Sequence, residues 1–352
     1  MTLGVRTMPD GILITGGAGF IGVNVAAHYL AQGRRVAILD NFSRAGTEQN
    51  LQWLQREFAE GVVVLRGDVR NLDRRFSEEV ERAGVLFHFA AQVAVTTSVL
   101  DPETDFAINA LGTFNVLEAV RRSRARPIVI YSSTNKVYGR MDATPVVDLG
   151  ARYSYAELPH GVSEDAQLDF YSPYGCSKGA GDQYTVDYAR IFGLRTVVFR
   201  QSCIYGPHQF GMEDQGWVAW FTIRALHGKP VTIYGDGKQV RDVLYIDDLV
   251  GAYDAAIRHI DHASGKVYNI GGGPRCTLSL LELIGLLDQR YRKPLRHDFA
   301  EWRPGDQRVF VSDIRRAHTD LDWEPRVGPE EGVGALADWL GQNRAVLGEV
   351  LG

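Results

Sequence analysis

Tyr174 and Lys178 stand four residues apart in Tyr-Gly-Cys-Ser-Lys, a spacing that puts both side chains on one face of a helix, one turn apart. An ammonium there can approach the phenol oxygen, or a ribose held between the two. A free phenol titrates near pH ~10, and positive charge beside it favours the phenolate, which brings a tyrosine into range for general-base work. Any helix can carry such a pair by chance, so its meaning depends on the elements that surround it.

The first of these lies far upstream. Ile12-Leu13-Ile14 is a short apolar run leading straight into Thr15-Gly-Gly-Ala-Gly-Phe-Ile-Gly22, the pattern of a strand that feeds a helix through a tight turn. Gly16 lets the chain reverse, Gly19 lets the backbone approach a pyrophosphate, and Gly22 lets the helix pack closely on the strand. Phe20 and Ile21 open that helix, whose N-terminus faces the phosphates. The helix is expected over about residues 20–32, ending at Gly33, and Arg35 to Leu39 reads as a second buried strand finishing at Asp40 and Asn41. An acid at the end of the second strand accepts hydrogen bonds from ribose hydroxyls and repels a 2′-phosphate, so Asp40 favours NAD over NADP. Arg44, close by, works against that preference.

Further apolar runs follow at 62–65, 85–89 and 127–131, separated by helical stretches around 47–58, 71–82 and 101–124. Strands alternating with helices imply an α/β fold, a Rossmann-type doubly wound parallel sheet. Ser132-Ser133-Thr134 closes the fifth strand, and a hydroxyl there, best Thr134, can bind the same oxygen that Tyr174 deprotonates. The NAD-binding domain is expected over 11–199, with a returning segment at 236–262. A smaller, mainly C-terminal substrate-binding lobe is expected from 200–235 and 263–345, where Gly, Pro and aromatic loops replace the alternation.

The chain has 352 residues, 45% hydrophobic and 23% charged, with a formal net charge of −5, which argues against a nucleic-acid partner. No apolar run approaches the roughly 20 residues needed to span a bilayer, so no membrane partner is expected. Met1 to Asp10 lacks the apolar stretch of a signal peptide and reads as a leader. Cys176, Cys203 and Cys276 are too few and scattered for a disulfide framework or a metal site, which fits a reducing cytoplasm. Cys176 is expected to be a buried, inert thiol.

Read together, Thr15 to Gly22, Asp68-Val69, His88 to Ala91, Ile108-Asn109 with Gly112-Thr113, Tyr131 to Thr134, Tyr174 to Lys178, Arg200, Tyr205-Gly-Pro207 and Arg241-Asp242 resemble the extended short-chain dehydrogenase/reductase family, in the branch acting on nucleotide sugars. The likeness covers nearly the whole length. It implies an NAD-dependent enzyme with a nucleotide-diphosphate sugar as substrate. Asp68 and Val69 would lie near adenine, Ala90, Ala91, Gln92 and Ser132 beside the cofactor, and Asn109 in support of the site. Lys178 would hold the ribose and tune Tyr174. Arg241, after the turn-rich Tyr234-Gly-Asp-Gly-Lys238, would grip the substrate diphosphate, a task suited to a guanidinium; its plainer reading is a surface pair with Asp242. Arg303 is a second candidate for the diphosphate. The resemblance also implies a homodimer formed through the helix before the fifth strand and the helix carrying Tyr174.

Which reaction occurs turns on Asn135 and Lys136. The 4,6-dehydratases of this family carry Asp-Glu there, because elimination of water needs an acid and a base; an amide and an ammonium cannot supply both. Uronic-sugar decarboxylases, which usually carry a Glu, are disfavoured similarly. Epimerisation needs only tightly held NAD, a tyrosine base, a hydroxyl partner and room for a ketone to turn, with Asn135 and Lys136 free to position the sugar. Segments 132–139, 167–170, 172–178 and 214–217 narrow the resemblance to members that invert C2 of a CDP-hexose. The alternatives are an NDP-hexose 4-epimerase, less a 4,6-dehydratase, and a non-catalytic NAD sensor, which would have no need of both Tyr174 and Lys178.

Overall fold

The computed structural model describes residues 9–303 and 305–351; residues 1–8 of the expected leader lie outside the described residues, as does Pro304. Five apolar runs become strands β1 (Gly11–Thr15), β2 (Val36–Asp40), β3 (Val62–Arg66), β4 (Ala83–His88) and β5 (Ile128–Thr134). All but β3 are buried along nearly their whole length, which is why they read as unbroken apolar stretches rather than alternating ones. The intervening helices are α1 (Phe20–Ala31), α2 (Thr47–Glu57) and α3 (Arg74–Arg82), the last capped by Asp73, whose carboxylate accepts from the Phe76 N–H at 2.9 Å.

The expected long helix at 101–124 is broken. A separate helix α4 (Val95–Leu100) precedes it, and the expected stretch itself forms α5 (Pro102–Phe106), one wide π turn at Ala107–Leu111, and α6 (Gly112–Arg122). A hairpin of β6 (Val146–Asp148) and β7 (Tyr153–Tyr155) precedes α7 (Ser172–Phe192), the helix of Tyr174 and Lys178. Then come β8 (Thr196–Gln201), β9 (Cys203–Tyr205), α8 (Trp217–Leu226), β10 (Val231–Tyr234), β11 (Val240–Tyr245), α9 (Ile246–Arg258), β12 (Lys266–Ile270), β13 (Thr277–Ser279), β14 (His297–Ala300) and β15 (Val309–Phe310).

The main sheet has seven parallel strands in the order β12-β8-β5-β4-β1-β2-β3. The chain winds outward from β1 to β3, then restarts at β4 on the other side of β1, so a crevice opens at the carboxyl ends of β1 and β4. A second layer centres on β11, paired with β13, β15 and β9, while β10 pairs with β14.

Two boundaries differ from expectation. Lys266–Ile270, assigned by sequence to the lobe, is the edge strand of the main sheet, paired with β8. The β6–β7 hairpin, inside the expected 11–199 domain, packs on the lobe instead: Tyr155 donates to the Val309 carbonyl at 2.9 Å and shares an apolar cluster with Val240 and Val311. The returning segment is split likewise, with β11 in the lobe sheet and α9 against α1, where the Tyr29 hydroxyl donates to Asp254 at 2.7 Å. One apolar core runs from Ile12 and Phe87 through Phe199 and Tyr253 to Leu283 and Leu336, joining sheet and lobe.

Candidate active site

The crevice at the carboxyl ends of the strands holds a cavity of about 340 Å³. Its floor is the glycine turn. Gly16 has φ +70° and lies so near the loop after β4 that a Cβ would stand 2.7 Å from the Ala90 nitrogen; a Cβ on Gly22 would stand 2.2 Å from the Gly16 oxygen. A Cβ on Gly19 would meet only that oxygen, at 3.2 Å, so little else crowds the backbone at the start of α1. Phe20 and Ile21 line the cavity beside that helix end, where unpaired N–H groups and the helix dipole suit a diphosphate.

Asp40 ends β2 beneath this turn. Its carboxylate accepts from the Ala18 N–H at 3.0 Å and the Phe42 N–H at 2.8 Å, holding the glycine loop while keeping lone pairs for ribose hydroxyls. Burial pushes its pKa up against those hydrogen bonds. Asn41 donates to Asp68 at 2.8 Å, and Arg70 beside Asp68 holds that carboxyl down at about 2. Asp68 and Val69 line the far end of the cavity, and Ala90 and Ala91 its wall. An elongated cavity with acids at one end, a helix N-terminus at its middle and hydroxyls at the other fits a dinucleotide. Arg44 does not turn toward a 2′-phosphate position. It reaches across the cavity, where its guanidinium donates to Gln215 at 3.3 Å and lies near Asp214 and Tyr174.

At the other end Ser132, Thr134, Tyr174 and Lys178 converge. Tyr174 is buried, which pushes its phenol up to about 12; the Asp105 carboxylate adds to the rise, while the Thr134 hydroxyl and Arg44 pull it down. Lys178 is pushed down to about 7 by burial, with Asp182 and Asp105 pulling it back up. Its ammonium donates to the Ser132 carbonyl at 2.5 Å and lies 4.4 Å from the Tyr131 ring centre. Arg44 is a further cation bearing on Tyr174, one that the sequence did not bring to it. Cys176, expected to be buried, is exposed, since two residues along a helix from Tyr174 is nearly the opposite face.

Several expected site residues stand back from the cavity. Asn109 ties down the loop after β4: its side chain accepts from the Gln92 N–H at 2.9 Å and donates to the Gln92 carbonyl at 3.0 Å. The Gln92 side chain curls back onto Ala94, so it does not line the cofactor cavity. Asn135 is buried beside Thr134, which donates to it at 3.4 Å. Lys136 lies near Arg241, Asp306 and Cys203, of which Cys203 borders the cavity. Burial, then Arg241, push Lys136 down to about 8. Arg241 pairs with Asp306 at 2.5 Å, and Asp242 turns the other way, to Ser202. Arg303 lies apart, 3.9 Å over the Tyr234 ring and donating to the Glu213 carbonyl.

Sequence reasoning passed over the network under α7. Asp182, wholly buried, accepts from Ser133 at 2.7 Å and from Arg200 at 2.9 and 3.0 Å, fastening α7 to β5 and β8. Its place one turn beyond Lys178, on the same helix face, is the signal that could have found it. His88 is pinned similarly, between Thr15 at 2.6 Å and Thr113 at 3.0 Å, and burial holds it neutral with a pKa of about 3.

The sequence profile of the NAD dependent epimerase/dehydratase family matches residues 12–271. The chain is similar to CDP-paratose 2-epimerase of Salmonella typhi, 46% identical over 337 residues that span 93% of this chain and 98% of that protein. Among solved structures it is similar to UDP-glucuronic acid 4-epimerase from Bacillus cereus in complex with UDP-glucuronic acid and NAD, at 30% identity, 94% and 99% coverage and a TM-score of 0.80. It is also similar to UDP-glucose 4-epimerase from Thermotoga maritima with UDP-glucose, at 31% identity, 95% and 99% coverage and a TM-score of 0.79.

Proposed function

The chain belongs to the NAD dependent epimerase/dehydratase family, and from that premise we propose that it inverts C2 of a CDP-activated hexose by transient oxidation. The observation that carries this reading is Asn135-Lys136 directly after Thr134, with no carboxyl pair for dehydration, in a chain 46% identical to a CDP-sugar 2-epimerase.

NAD is the cofactor. Gly16, Gly19, Phe20, Ile21 and Gly22 would cradle its diphosphate, Asp40 and Asn41 a ribose, Asp68 and Val69 the adenine, and Ser132, Ala90, Ala91, Tyr174 and Lys178 its reactive end. Bound there, NAD supplies a hydride acceptor that can also give the hydride back. Tyr174 takes the proton of the sugar hydroxyl as its carbon is oxidised, keeps it, and returns it to the inverted alcohol. With a pKa near 12 in the chain alone, Tyr174 does so only beside added positive charge. Thr134 orients the same oxygen. Lys136 and Arg241 put cationic charge on the lobe side for the sugar diphosphate, with Arg303 further out.

We further infer a homodimer. Val99 and Leu100 on α4, Phe106, Leu111 and Phe114 along α5 to α6, and Tyr184 on α7 are all exposed, Leu100 by 86%. The resemblance puts the pairing surface on the helix before β5 and on α7, and Val99 and Leu100 on α4 add to it. No helix among the described residues is long and apolar enough to cross a membrane. The three cysteines are free, in keeping with a cytoplasmic setting.

The test is to incubate the purified protein, without added cofactor, with CDP- and UDP-activated hexoses in deuterium oxide and follow the sugar ring by NMR. Inversion at C2 with no deuterium on carbon is expected. Inversion at C4 would establish the 4-epimerase reading instead, and loss of water or deuterium at C5 would overturn both.

A further inference from the structure

Asp105, on α5, has none of its surface exposed. Its Oδ1 accepts from the Asn109 amide at 3.0 Å. Its Oδ2 has no geometric hydrogen-bond partner, although the Ser177 hydroxyl lies close enough to pull the carboxyl's pKa down. Burial pushes its pKa up, with Ser177, Lys178 and Asn109 pulling it back down, so the carboxylate form is costly unless a nearby cation compensates it. The groups facing it are Ser177, Lys178 and, one turn earlier, Tyr174 on α7, together with Tyr131 on β5.

Lys178 is faced from every side by groups that can be named. Asp182 lies on its own helix, Asp105 on α5, His88 on β4, and the Tyr131 ring on β5. His88 is neutral. Asp182 is already matched by two hydrogen bonds from Arg200 and one from Ser133. Among the described residues, Asp105 is then the carboxylate acting on Lys178 that has no other cation against it. Tyr174, for its part, is faced by Thr134 at the end of β5, by Asp105, and by Arg44 from the loop after β2.

We propose that Asp105 is a positioning residue for the reaction: its buried carboxylate is the counter-charge that keeps Lys178 an ammonium, and it sets the pH window in which Tyr174 and Lys178 work together. This rests on reading those two as the reacting pair, and not on which sugar they serve. An ionised Asp105 favours the charged form of Lys178 and disfavours the charged form of Tyr174. Its removal therefore lowers the pKa of both. Whichever group sets which limb of a bell-shaped pH profile, both limbs move to lower pH.

Asp105→Asn keeps the shape and the acceptor for Asn109 while removing the charge. Two readouts apply: the pH dependence of kcat and kcat/KM on the sugar turned over, and a sugar-free ultraviolet titration of Tyr174 in NAD-loaded protein. The latter is isolated by subtracting Tyr174→Phe in the parent and in the Asp105→Asn background. Both limbs and the Tyr174 titration are expected to fall by about one pH unit, as for removal of one close charge. Limbs and titration that stay in place, whether activity is kept or drops by a constant factor, would overturn the proposal. Should Asp105→Asn fail to fold, Asp105→Ser removes the same charge and is read identically. If no sugar is turned over, the functional reading fails while the tyrosine titration still decides the role of Asp105.

Discussion

Lys136 and Arg241 put two cations side by side with one carboxylate, Asp306, between them, and Arg241 already holds it. Lys136 keeps its charge below about pH 8 and loses it above. If that charge helps hold the sugar diphosphate, KM should rise about tenfold between pH 7 and 9, the ratio that matches the ~1.5 kcal/mol of a charge-assisted hydrogen bond. Lys136→Met should show the high KM at both pH values, and steady-state kinetics across that range checks it; a parent KM that is flat with pH would sink the idea. Tyr174, Lys178 and the glycines were legible because each motif fits within a few residues and one helical turn or one tight turn fixes its geometry. Asp105 was not, because its partner Lys178 is far away in sequence and only the packing of α5 on α7 brings them together. The directions taken by the Gln92 and Arg44 side chains were equally hidden, since sequence gives a residue its place on the backbone and leaves its rotamer open.

At the scale of elements, the helix that carries Tyr174 and Lys178 is held by charge as much as by apolar packing. Asp182 and Arg200 form a doubly bonded pair that is almost wholly out of solvent, with Ser133 as a third member. Removing one partner of such a pair leaves the other buried and uncompensated, so Asp182→Ala should cost about 3–5 kcal/mol of folding stability, read from urea or guanidinium unfolding. Asp182→Asn, which keeps the shape and one acceptor, should cost less. A loss under 1 kcal/mol for the alanine variant would show that α7 is fastened some other way. Four of the five apolar runs announced themselves as strands because both of their faces are covered; β3, at the sheet edge, did so through its β-branched run Val62-Val63-Val64. β12 did not: Lys-Val-Tyr-Asn-Ile carries a charge and an amide and leads into a stretch of loops, so only its ladder with β8 reveals it as part of the main sheet. The broken helix at 102–122 was also illegible, because a π turn is set by which side chains must point inward, here Asn109, more than by intrinsic helix propensity.

For the whole molecule, the exposed apolar side chains of α4 to α7 form the surface on which a second copy would dock. Phe114 and Tyr184 already meet edge to face, 6.2 Å apart, across α6 and α7. Light scattering should give twice the chain mass for the parent. Charges placed at the centre of the patch, Leu111→Asp with Phe114→Asp, should give a single-chain mass with an unchanged circular dichroism spectrum. A parent that runs as one chain, or a double variant that still pairs, would remove the dimer from the picture.

The connectivity between sheet and lobe carries a different consequence, for how such an enzyme can acquire a new substrate. The chain leaves the sheet after β5 for the β6–β7 hairpin, rejoins it at α7, leaves again after β8, returns with α9 and β12, and departs once more for β13. An exchange of the whole stretch from residue 140 through β12 would therefore transplant fragments of both layers and cut through the core they share. The lobe cannot be swapped as one contiguous piece, which leaves substitutions along loops that already face the cavity as the direct route to a change of sugar.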